Sequence, residues 1–116
     1  MLKLSTIING VEYPDIPAGG MIELGDFIFN NSIDFWLSNT GPSTQVIKEV
    51  TATCSPTGQV YLDPAGSDWV DVLLHKNVSK IIRILIRDYG PVEFYLRVRT
   101  ANNEYCYCFT AYIVAY

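Results

Sequence analysis

Val92-Glu93-Phe94-Tyr95-Leu96-Arg97-Val98-Arg99-Thr100 sets an apolar residue at every second position and a charged or amphipathic one between. A period of two held this long belongs to a β-strand with one buried face and one wet face. Val92, Phe94, Leu96 and Val98 are therefore the expected core, and Glu93, Tyr95, Arg97 and Arg99 the outer face. The segments on either side, Lys80 to Arg87 and Tyr105 to Val114, are rich in β-branched or aromatic residues and bounded by turn residues. Ile82, Ile84 and Ile86 fall on one face of the first. Asp88-Tyr89-Gly90 suits a three-residue hairpin loop with Gly90 left-handed, which would pair Ile84 with Phe94 and let Arg83 stack on Tyr95. The second segment is apolar or aromatic on both faces, so it is expected to be buried twice or to meet another molecule.

The same grammar runs upstream. Met21 to Phe29 is the first body strand, with a bulge or kink expected at Gly25-Asp26. After a turn at Asn30-Asn31, Ile33, Phe35 and Leu37 point inward and Trp36 outward. Asn39-Thr40-Gly41-Pro42-Ser43 is a firm turn. Gln45 to Cys54 follows, where Val46-Ile47 and Val50 break strict alternation and call for a bulge. Pro56-Thr57-Gly58 turns into a short strand from Gln59 to Leu62. The turn Asp63-Pro64-Ala65-Gly66-Ser67 then leads into Trp69-Val70-Asp71-Val72-Leu73-Leu74. Residues 1–20 have another character. Asn9-Gly10 is a strong hairpin signal between Ile7-Ile8 and Val11-Glu12-Tyr13, while Pro14 and Pro17 forbid a central strand. The expectation is an N-terminal arm or small hairpin over 1–20 and a domain over 21–116. The fold class expected is all-β: a sandwich of about seven to nine antiparallel strands.

A chain of 116 residues, 49% hydrophobic and 17% charged, is long enough for one core and too apolar for disorder. No apolar run approaches the ~20 residues of a spanning helix. The start, Met1-Leu2-Lys3-Leu4-Ser5-Thr6, carries no secretory pattern, so a chain that is not exported is expected. Three cysteines, Cys54, Cys106 and Cys108, leave at least one thiol free unless chains pair. Cys106 and Cys108 share a strand face about 7 Å apart and are poorly placed to bridge each other, which leaves Cys54 with either as the pairing open within a chain. Charge is uneven: residues 1–75 hold two bases against nine acids, and residues 76–116 six bases against three acids. Such asymmetry either orients contacts between copies or merely solvates one sheet face.

Ile22-Glu23-Leu24-Gly25-Asp26, then Phe35-Trp36-Leu37-Ser38-Asn39-Thr40-Gly41, then Val46-Ile47-Lys48-Glu49-Val50-Thr51-Ala52-Thr53-Cys54 together resemble an immunoglobulin-like domain of the ASH or choice-of-anchor D kind. Pro64-Ala65-Gly66-Ser67 and the closing Gly90 with Phe94 to Thr100 extend the resemblance to roughly residues 21–114. The first 20 residues have no counterpart in that family. The resemblance implies an immunoglobulin-like fold and a binding or scaffolding role without catalysis. In architecture the chain also resembles small accessory proteins of tailed-phage virions that decorate or cement a capsid.

Chemistry is sparse. His75 is the only histidine and sits beside Lys76 at a strand end, a poor base for a nucleophilic site. Cys106, Cys108 and His75 lack zinc spacing. Asp63, Asp68 and Asp71 flank one turn without the glycine-centred loop that calcium sites use. No phosphate-cradling glycine loop is present. An isoelectric point near 4.7 argues against phosphate-driven nucleic-acid binding by Arg83, Arg87, Arg97 and Arg99. Trp36 and Trp69 suit core or contact sites equally; exposure of either, or of Tyr112, would be needed for a sugar-stacking platform.

The resulting expectation is a non-enzymatic structural protein, with no catalytic residue, cofactor or metal, acting by protein–protein contact. Its most specific form is a phage virion component such as a capsid cement protein, located in the virion and meeting neighbouring copies and a capsid protein, with no nucleic-acid or membrane partner. Ile7, Ile8, Val11, Tyr13, Tyr95, Arg97, Arg99 and Tyr112 are the expected contact residues. The alternative is a soluble ASH-type module that recognises a cytoplasmic protein.

Overall fold

The computed structural model describes residues 2–8, 10–28, 32–55, 60–63, 69–87 and 89–114. Ten strands are present among them: β1 (Leu2–Ile8), β2 (Val11–Tyr13), β3 (Met21–Ile28), β4 (Ser32–Asn39), β5 (Gln45–Ser55), β6 (Val60–Asp63), β7 (Val72–Leu74), β8 (Ser79–Ile86), β9 (Gly90–Thr100) and β10 (Glu104–Val114). They form two five-stranded sheets, ordered β2-β1-β4-β8-β6 and β3-β10-β9-β5-β7. The chain is an all-β sandwich of the immunoglobulin-like kind. The expected turns at Asn30-Asn31, Pro56 to Gly58 and Pro64 to Ser67, with Phe29, Asp68, Asp88 and the Asn9 of the first hairpin, lie outside the described residues.

Alternation does what the sequence predicts. Val92, Phe94, Leu96 and Val98 of β9 are buried, as are Ile33, Phe35 and Leu37 of β4 and Ile82, Ile84 and Ile86 of β8. Phe35 from one sheet meets Phe109 of β10 from the other with ring centroids 5.0 Å apart, and Phe94 stacks on Phe109 at 5.0 Å. Each such fully buried side chain contributes about 1.5–3 kcal/mol of apolar burial, so these three rings form the joint between the layers.

Both expected bulges are present. Glu23 pairs with Thr110 and Asp26 with Tyr112, so Leu24-Gly25 together oppose Ala111, and Gly25 takes φ 81°. In β5 the register steps between Ile47 and Glu49. The extra Lys48 lets Ile47 and Val50, three apart, both reach the core with no exposure.

Three expectations need correction, and one pair of alternatives is resolved. The strands are not all antiparallel: β3 runs parallel to β10, while the eight strands β3–β10 fall within the expected number and β1 and β2 are the N-terminal hairpin. The segment Trp69 to Leu74 is a strand only from Val72, because Asp71 adopts φ 52° and Trp69 folds back into the core, where it is 2% exposed. Next, β8 and β9 are not a hairpin. β8 belongs to the first sheet and β9 to the second, and Ile84 pairs with Ile33 and Leu62 while Phe94 pairs with Phe109 and Cys54. Two inward-facing apolar rows satisfy each other equally well side by side or face to face, so alternation does not separate the cases; Gly90, at φ 98°, is left-handed in either. Finally, of the arm and the hairpin expected at the N-terminus, the hairpin is present as β1 with β2, and it is built into the first sheet. β1 pairs with β4 along five residues, from Leu2 with Asn39 to Thr6 with Phe35, and buries Leu4 and Ile8 in the common core. The proline-bounded stretch then crosses the sandwich: the Ile16 amide donates to the Leu4 carbonyl of the first sheet, and the Gly19 amide to the Cys106 carbonyl of the second, both at 2.8 Å.

Candidate interaction surfaces

The outer face of the second sheet carries four of the expected contact residues. On β9, Tyr95 is half-buried and Arg97 and Arg99 are exposed; on β10, Tyr112 is 50% exposed. Arg97 donates from Nη2 to Glu49 Oε1 at 3.1 Å and lies 3.4 Å, through Nη1, from Glu104 Oε1. Pairs this exposed contribute about 0.2–1 kcal/mol, but they occupy the guanidinium within its own chain. Arg99 stands in register between Glu49 and Glu104. The arginines of β9 thus sit inside a mixed-charge row and not in a basic patch. The Tyr95 hydroxyl donates to Glu93, which raises its pKa above the usual tyrosine value. Arg83 does not stack on Tyr95: it lies on the other sheet and grips Asp34, with Nε 2.8 Å from Oδ1.

Cys106 and Cys108 lie on this same outer face, opposite Arg97 and Tyr95. Burial, and then the neighbouring Cys106 thiol with which it shares a hydrogen bond, push the Cys108 thiol up. Cys54 is on the inner side of the sheet, packed against the core with its thiol donating to the Val60 carbonyl at 3.4 Å. All three are free. Facing opposite sides of one sheet, Cys54 and either of the others cannot approach disulfide geometry. A shallow groove of about 390 Å³ runs between Thr51, Thr53, Tyr95, Arg97 and Cys106.

Of the rest, the outer face of the first sheet carries Ile7; Val11 and Tyr13, paired with Ile8 and Thr6, lie with them on the core-facing side of the sheet, at its β2 edge. Ile7 and Val11 are 58% and 53% exposed. Tyr13 is half-buried and packs against the core from the sheet edge. Ile8 is the exception to the expectation. It is 5% exposed and belongs to the core of its own domain, because neighbours on a strand point to opposite faces. It has no surface to offer a partner.

Two residues join this face that were not among the expected contacts. Trp36 of β4 lies directly between Ser5 of β1 and Ile81 of β8, and Ile81 is 45% exposed. The signals were present: Trp36 falls on the wet face of β4, and Ile81 breaks the alternation of β8. Lys3, Ser5, Ile7, Glu12, Pro14 and Trp36 line a groove of about 310 Å³. An aromatic flanked by aliphatics and rimmed by charges of both signs is the composition of a protein contact site.

The remaining chemical candidates are placed as follows. His75 is exposed, with Nδ1 3.1 Å from Thr44 Oγ1. Asp71 pairs with Lys48 at 3.0 Å, and Asp63 lies near Arg83. Among the described residues no three of His, Cys, Asp or Glu gather as a metal site would need. Trp69 is buried under the Lys80 ammonium, 4.8 Å from its ring centroid, and is no stacking platform. No helix of the described residues is long and apolar enough to cross a membrane.

No protein-family model and no curated protein matches the sequence. Solved structures similar to the chain share its fold at low identity. A chaperone–tip adhesin complex of CFA/I fimbriae aligns over 95% of this chain and 55% of its own, with a TM-score of 0.60 and 13% identity. The VesB protease of Vibrio cholerae aligns over 80% of this chain and 29% of its own, with a TM-score of 0.52 and 15% identity. A family 123 glycoside hydrolase from Clostridium perfringens aligns over 81% and 23%, with a TM-score of 0.52 and 10% identity. The chain spans between about a quarter and just over half of these neighbours, and what it shares with them is the sandwich.

Proposed function

We propose that this chain is a non-enzymatic structural protein working through protein–protein contacts, and specifically a virion accessory protein of the capsid cement or decoration kind. The observation that carries the reading is the outer face of the first sheet. Ile7, Trp36 and Ile81 stand there outside a core that is already closed without them. Exposed apolar side chains grouped around an aromatic are a feature of protein contact sites. Such a protein works by burying this face at subunit seams, adding interface energy that the capsid shell must lose before it ruptures.

The test is a comparison of particles with and without the protein. Particles that carry it rupture at a higher temperature, and adding the purified chain back restores the difference. Equal rupture temperature and equal infectivity in its absence would reject the role. A second reading has one observation in its favour, the groove between Thr51, Tyr95, Arg97 and Cys106 on the opposite sheet. There the chain is a soluble immunoglobulin-like module that seats a segment of a cytoplasmic protein. A Tyr95→Ala substitution abolishes partner binding under that reading and leaves particle stability untouched under the first.

A further inference from the structure

We infer that the outer face of the first sheet is self-complementary and pairs two copies of this chain face to face; the inference rests on the contact role just proposed and names the partner. The argument begins with register. Ser5, Trp36 and Ile81 form one row across β1, β4 and β8. Two residues to one side along the strands, about 6.6 Å away, lie Lys3, Ser38 and Ser79 in the next row of the same face. Two residues to the other side lie Ile7 with its partner Glu12, and Asp34 with its partner Arg83. A twofold axis running across the strands through the central row exchanges these two flanks between copies. Lys3 of each copy then lies over Ile7 and Glu12 of the other, its methylenes on the isoleucine and its ammonium beside the carboxylate. Asp34 faces Ser38 of the other copy, Arg83 faces Ser79, and Trp36 and Ile81 meet their own counterparts at the axis.

The other simple arrangement fails on charge. An axis running along β4 would set Asp34 directly over Asp34 of the second copy and Arg83 over the apolar β1 flank. The axis across the strands sets Lys3 beside Glu12, apolar groups on apolar groups at Trp36 and Ile81, and no like charges opposite one another among the residues named, and sheets packed this way remain within the aligned range of sandwich geometry. Strands about 4.8 Å apart and eight residues long offer a face of roughly 500 Å² per copy. The total of about 1,000 Å² lies at the lower limit of specific interfaces. The pair is therefore a weak one, dissociating in the micromolar range, as suits a unit held at high local concentration on a particle.

Sedimentation velocity of the full chain from about 10 µM to about 1 mM tests this. The expected result is a concentration-dependent rise toward twice the 13.0 kDa chain mass, with a blue shift of Trp36 emission. Ile7→Lys and Ile81→Lys change exposed positions, keep the circular dichroism and melting point of the parent, and yield monomers. Lys3→Glu and Glu12→Lys each weaken the pair at least ~10-fold by setting like charges opposite one another. The double swap Lys3→Glu with Glu12→Lys restores it. Leu73→Lys, exposed on the second sheet, changes nothing. A chain that stays monomeric to 1 mM overturns the inference, including the case where Trp36 emission responds instead to a soluble oligosaccharide. So does dissociation by Leu73→Lys, or a double swap that fails to rescue. A monomer that still raises particle rupture temperature rejects the paired face while leaving the virion role intact.

Discussion

Asn39 ends β4, and in the sequence it looks like the first residue of a turn and nothing more. It is fully buried. Its Nδ2 donates to the carbonyls of Ser43 at 2.8 Å and Leu74 at 2.9 Å, and its Oδ1 accepts from the Gly41 amide at 3.0 Å. Its backbone amide donates to the Val78 carbonyl, and its own carbonyl accepts from Asn77. One side chain thus ties the 40–44 turn to β7, while its backbone holds the turn that enters β8. Composition cannot reveal this, because the partners lie up to 39 positions away and contribute only main-chain atoms. Asn39→Ala strands buried carbonyls and an amide, and costs about 2–4 kcal/mol in urea unfolding; a loss below 0.5 kcal/mol would mean that water takes over these bonds. Tyr107 is the other residue whose role is hidden. It points inward from β10 at 2% exposure, and burial pushes its pKa up to about 12, with Tyr105 and Asp15 adding to the shift. The unfolded chain releases that proton near 10, before the folded chain does, so stability is fully present below pH 10 and falls as pH rises toward 12. Tyr107→Phe has no such proton. The parent should lose stability relative to this variant across pH 10–12 by about 2–3 kcal/mol, and parallel curves would show that the ring is solvated.

At the scale of elements, period was legible and partnership was not. β4, β8 and β9 could be phased from alternation alone, since a buried isoleucine or phenylalanine at every second position has one physical explanation. The bulges at Gly25 and Lys48 were legible for the same reason, as breaks in a pattern otherwise kept. Which sheet a strand enters is decided by something else: the direction the chain leaves each turn, and the packing of whole layers. The sequence Asp88-Tyr89-Gly90 therefore reads the same before a hairpin partner or before a strand of the other sheet. The parallel pairing of β3 with β10 joins residues more than 80 apart, with no turn to announce it. The contact surface was half legible on the same grounds. Ile7 and Ile8 are adjacent and equally apolar; only the register of β1 against β4 decides that Ile8 enters the core and Ile7 the surface. Charge asymmetry along the chain dissolves in the fold. Arg83 and Arg97 from the basic part are set against Asp34 and Glu49 from the acidic part.

For the whole molecule, the consequence is that the first 20 residues cannot be a detachable arm. They fill one inner strand of the first sheet, cross the sandwich at Ile16, and join the second sheet at Gly19. Removing them takes away Leu4, Ile8 and Ile16, exposed 0%, 5% and 4%. At about 1.5–3 kcal/mol for each buried side chain, the loss of roughly 5–9 kcal/mol matches the entire stability of an ordinary domain, about 5–15 kcal/mol. It also strips β4 of the partner that covers its edge along five residues, leaving Phe35 and Leu37 on a bare, apolar edge strand of the kind that aggregates. A chain beginning at residue 21 should therefore show no cooperative thermal transition, bind a hydrophobic dye and precipitate, whereas Ile7→Lys in the full chain melts cooperatively. If the shortened chain instead unfolded in one sharp transition within a few degrees of the parent, residues 21–114 would hold a core of their own, and the role assigned to β1 would be wrong. The same dependence bears on function, because Lys3, Ser5 and Ile7 reach the surface from the strand that closes the core. The contact face and the fold then stand or fall together: no change that frees the N-terminus can abolish contact while sparing stability, and only substitutions at exposed positions such as Ile7 and Ile81 can separate the two.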